Sequence, residues 1–434
     1  MPRGCPVIAA REIRWREGKV MSAAEAATIT AKDAPDSVNT PGPGFVSRAT
    51  ALRGLLERNR VAGDERRRLT DPVMAELAGT GLSRMWVPRR FGGWECDLRT
   101  MVDTTIEVTK GDPSAGWVHW ILGCGDWLVG LFPEAGQAEV YANGPDTRVC
   151  SVFAPSATAR RVAGGWTVSG RWSPASGCAH AQWAMLGFPR PDAAEKGHPD
   201  DGDLGFALIP MSELRVEDTW FTTGMRGTGS NTLSGEHLFV PDHRVLSVMP
   251  AVRGDLALQK GFAGSPRYRT AFLPTLVTHM MGPYIGMARA ALELVSKDAS
   301  TRGISFTTYG RRSDSTAFQL AVAEATARVD AATALAHSAA DSIDAYAAAG
   351  TYPDVVSRAR VRLHFGHVVA QCCEAVDLLV SAHGASAFAE ANPLGGIVRD
   401  IQTASRHAFA SPAVNKEVFG RTVLGVEENI TEFI

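Results

Sequence analysis

The sequence lacks any Cys-x-x-Cys pair, and its seven cysteines, at 5, 96, 124, 150, 178, 372 and 373, are odd in number and scattered. That excludes a zinc knuckle or a disulfide framework and fits a reducing cytoplasm. An excess of one charge is also missing: 44 Lys and Arg stand against 46 Asp and Glu over 434 residues. No basic block occurs, so a nucleic-acid partner has no electrostatic support. The longest apolar run, GWVHWILGCGDWLVGLF at 116–132, is short for a bilayer and is interrupted by His119 and Asp126. It predicts a buried core helix or helix pair rather than a membrane span. No GxGxxG follows a strand, and GxxxxGK[ST], GxSxG and HExxH do not occur, which removes the commonest nucleotide, hydrolase and zinc-protease signatures.

What is there is an ordinary globular composition, 45% hydrophobic and 21% charged, long enough for two or three packed domains. The first 20 residues show neither a signal peptide nor a coherent period. Met21 opens a more typical start, and residues 1–45 are expected to be a mobile leader. From 46 to 145 the apolar residues recur three and four apart, as in a helical domain. Asp71-Pro72 is expected to cap and open one of its helices. From 146 to 262 the period becomes strand-like, with Gly-Gly, Ser-Gly and Pro-Asp turns between short runs, predicting an antiparallel β-domain. From 263 to 434 long alanine-rich stretches predict a helical bundle with extensive subunit contacts. The class is therefore α+β.

Among the eleven histidines, His364 and His367 have a metal-capable spacing but no carboxylate at the matching offset, so no metal is expected. His198 reads as a solvated loop residue. Ser151 and Ser176 each stand beside proline and glycine at a strand end, where a hydroxyl either stabilises a turn or points into a cleft. RDIQTASRHAFASPAV (399–414) is mostly small and helix-tolerant, yet it carries Arg399-Asp400, then Arg406-His407. Residue type alone leaves His407 open between a polar niche and chemistry.

Six motifs in order settle more. VPRRFGG (87–93), SAGW (114–117), SGRWSPASG (169–177), GMRGTGSNT (224–232), FVPDHRV (239–245) and RDIQTASRH (399–407) together resemble the acyl-CoA dehydrogenase fold, from about residue 46 to the end. The branch they resemble is that of the two-component flavin-dependent monooxygenases. The resemblance implies an N-terminal helical domain, a β-barrel-like middle and a C-terminal four-helix bundle, usually assembled as a homotetramer. It also implies reduced flavin, FMN or FAD, delivered by a separate NAD(P)H flavin reductase, with O2 as co-substrate. Dehydrogenases of this fold often follow Arg-Asp with a Tyr and then the catalytic Glu. Here His407 and Ala408 hold those places, and alanine cannot take a proton, which argues against an acyl-CoA dehydrogenase. The family chemistry runs through a flavin C4a-hydroperoxide kept in a dry pocket.

By the same resemblance His407 donates a proton to that peroxide, and an ordinary imidazole pKa of about 6.5 suits the exchange. Ser176 faces the flavin N5 edge, and Ser151 lies near the oxygen-transfer site. Trp172, Arg302 (expected to open a helix after TRGISF), Arg267, Gly384 and Ser386 are implied as cofactor contacts, the last two from a neighbouring subunit. Trp117, Gly125, Asp126 and Ser151 are implied at the substrate. Phenol-hydroxylating relatives usually carry a histidine where Gly125 stands, although His119 or His180 lies close enough in sequence to substitute. That departure favours the amino-sugar nitrososynthases, which N-oxygenate nucleotide-linked amino sugars in antibiotic biosynthesis, with Asp126 orienting the amine. The alternative is C-hydroxylation of a phenolic, polycyclic aromatic or steroid substrate.

Overall fold

The structure, a computed structural model, describes residues 42–190, 203–255 and 265–434. Residues 1–41 of the expected leader, Met21 among them, and His198 lie outside the described residues; from Gly42 the chain is already helical.

Six helices come first: α1 (Gly42–Ala51), α2 (Arg53–Arg66), α3 (Asp71–Gly79), α4 (Leu98–Gly111), α5 (Pro113–Val129) and α6 (Glu134–Val140). Asp97 caps α4 by accepting from the Thr100 N–H at 2.7 Å, and Asp112 caps α5 through the Ser114 N–H at 2.9 Å. The expected cap of α3 moves by one residue. Thr70 holds the N-cap place and Asp71-Pro72 form the first turn, while the Thr70 hydroxyl donates to Asn59 Oδ1 at 2.9 Å. Helix α5 is the apolar run of 116–132, and nearly every residue in it is buried.

The middle region folds into two four-stranded sheets. One has the order β1 (Val149–Val152), β4 (Trp183–Arg190), β5 (Asp203–Pro210), β8 (Val245–Ser247). The other has the order β2 (Ala157–Val162), β3 (Gly165–Ala175), β7 (Asn231–Pro241), β6 (Arg215–Glu217). All pairs are antiparallel except β1–β4, where Ser151 stands in register with Met185. The connection from β1 to β4 passes through the β2–β3 hairpin of the second sheet, which returns the chain in its original direction.

A short helix α7 (Val248–Arg253) leads on to α8 (Phe272–Lys297), α9 (Thr316–Ala348), α10 (Val355–His383), α11 (Pro393–Ala404) and α12 (Pro412–Val423). Helices α8, α9 and α10 pack on one another and α12 packs on α10, the expected four-helix arrangement. By length and composition α10 is apolar enough to cross a bilayer. Here its buried Arg362 is held by Asn415 at 3.0 Å and the Phe433 carbonyl at 2.5 Å. One continuous core joins helices and sheets through Trp86, Trp127, Trp166 and Trp172.

Candidate active site

Helix α5 organises the site because every neighbouring element meets one of its faces. Gly125 approaches β1 so closely that a Cβ would lie 2.2 Å from the Val149 carbonyl oxygen. That contact corrects the expectation for Gly125: it faces the backbone of β1, where a side chain has no room, and not a substrate.

His407 follows α11 and caps the turn Ala408–Ala410. Its ring lies against Trp117 at 5.8 Å, Trp120 at 5.9 Å and Phe409 at 5.8 Å between centroids. Tyr284 of α8 anchors the end of α11, its hydroxyl donating to the Ala404 carbonyl at 2.7 Å. The Phe409 N–H donates to His407 Nδ1 at 3.3 Å, so the ring proton of the neutral form resides on Nε2. Burial pushes the His407 pKa down to about 4. This lies below the expected value near 6.5, so at pH 7 the ring is a neutral N–H donor and does not exchange a proton there. Beside it Ala408 is exposed and carries nothing that can take a proton.

Ser176 opens the turn after β3 and is buried. Its hydroxyl lies 2.7 Å from that of Ser230, which lies 2.6 Å from that of Thr228. Sequence reasoning missed Ser230 and Thr228, although both stand in the GMRGTGSNT motif it singled out. That loop is clamped from below. Asp400 Oδ1 accepts the Met225 N–H at 2.7 Å, and Arg60 approaches the other oxygen at 3.5 Å. A Cβ at Gly224 would lie 2.0 Å from the Arg399 carbonyl oxygen, so only glycine lets the loop sit on α11. Gly177, beside Ser176, abuts Val118 and Leu122 of α5. His407 and the Ser176 turn therefore meet the same turns of one helix from different sides.

Val118 and Leu122 also line a narrow cavity with Met85, Met101, His119 and Asp126. His119 Nε2 is buried there without a hydrogen-bond partner, and burial lowers its pKa to about 4. Asp126 accepts from the Tyr141 hydroxyl at 3.1 Å, and burial drives its pKa well above the usual carboxylate range. Burial disfavours the charged carboxylate, which weighs against Asp126 orienting an ammonium group by charge. Arg148 also lines the cavity, its Nε donating to the His180 carbonyl at 2.5 Å.

Other expected contacts lie elsewhere. Ser151 is buried in β1 near the Gly125 contact. Trp172 is corrected to a core residue, its indole N–H donating to the Gly187 carbonyl at 2.8 Å. Arg267 is likewise buried, bound to Asp344 at 2.9 Å and stacked over Trp86, so it is not placed for a flavin phosphate. Arg302 does not open a helix; it sits exposed in the α8–α9 connection, 3.9 Å from Asp298. Gly384, at φ +86°, and Ser386 face open space at the end of α10.

A flavin ring needs flat apolar walls, a partner for N5 and few charges near its reactive edge. Indole edges, the Ser176 hydroxyl and the neutral His407 meet those needs, and the His407 pKa is moved by burial alone, with no charged neighbour acting on it. Comparison with known proteins gives the same direction. Residues 279–412 match the family described as acyl-CoA dehydrogenase, C-terminal domain. The oxygenase subunit HsaA of a flavin-dependent monooxygenase from Rhodococcus jostii (strain RHA1) is 31% identical, covering 88% of this chain and 98% of its own. The oxygenase component of an FADH2-dependent resorcinol hydroxylase from Rhizobium sp. (strain MTP-10005) is 30% identical, covering 91% and 97%. Among solved structures, XiaF from Streptomyces sp. in complex with FADH2 and glycerol superposes with a TM-score of 0.85 at 32% identity, covering 91% and 98%. KijD3 in complex with dTDP, at 20% identity and a TM-score of 0.73 over 89% and 98%, shares the fold alone.

Proposed function

The chain belongs to the oxygenase subunits of two-component flavin-dependent monooxygenases with the acyl-CoA dehydrogenase fold, and on that premise we propose that it hydroxylates a carbon of a hydroxylated aromatic or polycyclic substrate. As an oxygenase component it works with a separate flavin reductase. The observation that carries the substrate class is the unpartnered His119 Nε2, which opens on a narrow space lined by Met85, Met101, Val118 and Leu122, with Asp126 and Arg148 among its other polar groups. A phenolic O–H suits His119 Nε2, which is left to accept it. The relative that acts on resorcinol favours the same reading over amine oxygenation.

Reduced flavin, when bound, supplies the two electrons that let O2 give one oxygen atom to the substrate and the other to water. The chain's own residues then have separable tasks. Trp117 and Trp120 keep water from the ring face, and Met85 and Met101 give flexible walls that adapt to a flat ring. His119 orients the substrate hydroxyl and draws on its proton, which raises electron density at the neighbouring ring carbon. Ser176 meets the flavin edge at N5. His407 would offer its Nε2–H as a hydrogen bond where negative charge develops on oxygen at the flavin. Gly384, Ser386 and the exposed Arg302 suit a cofactor tail or neighbouring subunit in a homotetramer.

The test couples the protein to a flavin reductase and NADH. Phenols, polycyclic hydroxy-aromatics and a dTDP-amino sugar are offered in parallel, and products are followed by mass. Addition of one oxygen atom to an aromatic substrate is the expected result. Oxidation of the amino sugar with every aromatic left untouched would overturn the reading.

A further inference from the structure

We propose that Thr228 and Ser230 fix the proton direction of Ser176, so that Ser176 meets the flavin as a hydrogen-bond acceptor and selects the reduced form. The inference rests on the reading that Ser176 faces the flavin N5 edge.

The argument is a count of protons. A hydroxyl has one proton to give and two lone pairs to receive. Thr228 Oγ1 donates to the Met225 carbonyl at 2.8 Å, an acceptor that has no proton of its own. With that proton committed, the 2.6 Å contact between Thr228 and Ser230 is made by the Ser230 proton. With the Ser230 proton committed in turn, the 2.7 Å contact between Ser230 and Ser176 is made by the Ser176 proton. Ser176 then has only lone pairs left for a ligand.

The chain of hydroxyls is well fixed at its far end. Met225 holds a left-handed conformation at φ +55°, and Asp400 grips its N–H at 2.7 Å. The Gly177 N–H donates to the Thr228 carbonyl at 2.9 Å, tying the two loops together. Thr228 and Ser230 are each 2% exposed and Ser176 is 6% exposed, so water does not compete for these bonds. In such surroundings a directed chain strengthens each of its members.

The flavin discriminates between the two polarities. Reduced flavin carries a proton on N5 and donates there; oxidised flavin offers only a lone pair. A Ser176 that accepts therefore favours the reduced form, on the order of tenfold for one buried hydrogen bond. Ser230 and Thr228 are positioning residues that act through Ser176.

Dissociation constants for reduced flavin, measured anaerobically, and for oxidised flavin give the readout as a ratio. Wild type is expected to prefer the reduced form. Ser230→Ala frees the Ser176 proton to turn outward, and the preference is expected to fall about tenfold. Thr228→Val, which removes the acceptor at the end of the chain, should act likewise, while Thr228→Ser keeps the wild-type ratio. A general loosening of the loop would weaken both forms alike and leave the ratio unchanged. Should Ser230→Ala not fold, the Thr228→Val and Thr228→Ser pair decides. If Ser176→Ala loses the preference but Ser230→Ala and Thr228→Val retain it, the relay is overturned and the place of Ser176 stands. If all three retain it, both ideas fall.

Discussion

The backbone N–H of Phe409 donates to Nδ1 of His407, and this one contact decides which imidazole nitrogen holds the proton. The turn Ala408–Ala410 thus does more than end a helix: it aims an N–H donor into a wall of indole rings. Replacing His407 with Ala is expected to cut hydroxylated product by about 100-fold, the usual scale for losing one positioned hydrogen-bond donor to developing charge. NADH consumption should continue, with hydrogen peroxide released in place of product. Product yield per NADH, read beside a peroxide assay, checks it; an unchanged yield would remove His407 from the chemistry.

Because the His407 pKa lies at about 4, its protonation state does not change near pH 6.5. The product-to-NADH ratio should therefore show no inflection between about pH 8 and 6 arising from this group. It should change only as the pH approaches 4. A break near 6.5 that disappears in His407→Gln would contradict the neutral ring.

His119→Leu should leave the flavin-binding ratio intact and raise KM for a phenolic substrate by about tenfold, the value of one buried hydrogen bond. The same substitution should scarcely alter KM for the matching O-methyl ether. Equal effects on phenol and ether would mean that the imidazole nitrogen accepts nothing from the substrate.

Asp112 caps α5, and burial raises its pKa to about 7, while Asp400 is raised to about 6. A carboxyl raised in the folded state binds protons there more tightly than in the unfolded chain, so its contribution grows as pH falls from 7 toward 4. His119, His180 and His407, lowered to about 4, act in the opposite sense and cost stability over 6.5 to 4. Asp112→Asn keeps the cap acceptor without the charge. Its melting temperature should exceed that of wild type at about pH 8, with the advantage disappearing toward about pH 4. A variant less stable than wild type throughout would show that the charge is not costly.

Gly125→Ala should destabilise the protein by about 1–3 kcal/mol, the cost of overpacking, because its Cβ meets the Val149 carbonyl. Asp400→Ala should cost about 1–3 kcal/mol by leaving the Met225 N–H unpaired. Denaturant titration reads both. A stable Gly125→Ala would reopen that position to a substrate role.

Much of the fold was legible because period and composition carry it: the alanine-rich stretches became α8 and α9, and the alternating runs became two sheets. Of the six motifs, SGRWSPASG and GMRGTGSNT located turns that meet α5, and RDIQTASRH located His407 beside it. What the sequence hid was direction and burial. Nothing in residue type says that Trp172 turns into the core, that Arg267 is committed to Asp344, or that Gly125 faces a carbonyl. Ser230 and Thr228 were within the quoted motif, but only three-dimensional contact distinguishes a serine in a relay from a serine in a turn. The amino-sugar reading leaned on the missing histidine at 125, when an imidazole lay six residues earlier on the cavity side of the same helix.

Helix α5 presents Trp117 and Trp120 to His407, while Val118, His119 and Leu122 line the cavity. The residues that shape what enters are thus distinct from those that surround the N–H donor, though one rigid rod carries both. A chain built this way can change its clientele by exchanging side chains such as Met85, Met101 or Leu122, with the oxygen-handling wall left in place. A one-residue insertion ahead of Trp117 would have the opposite effect, turning the rod by about 100° and scrambling both sides at once. Retargeting by substitution and intolerance of length changes in this helix are two expressions of the same design.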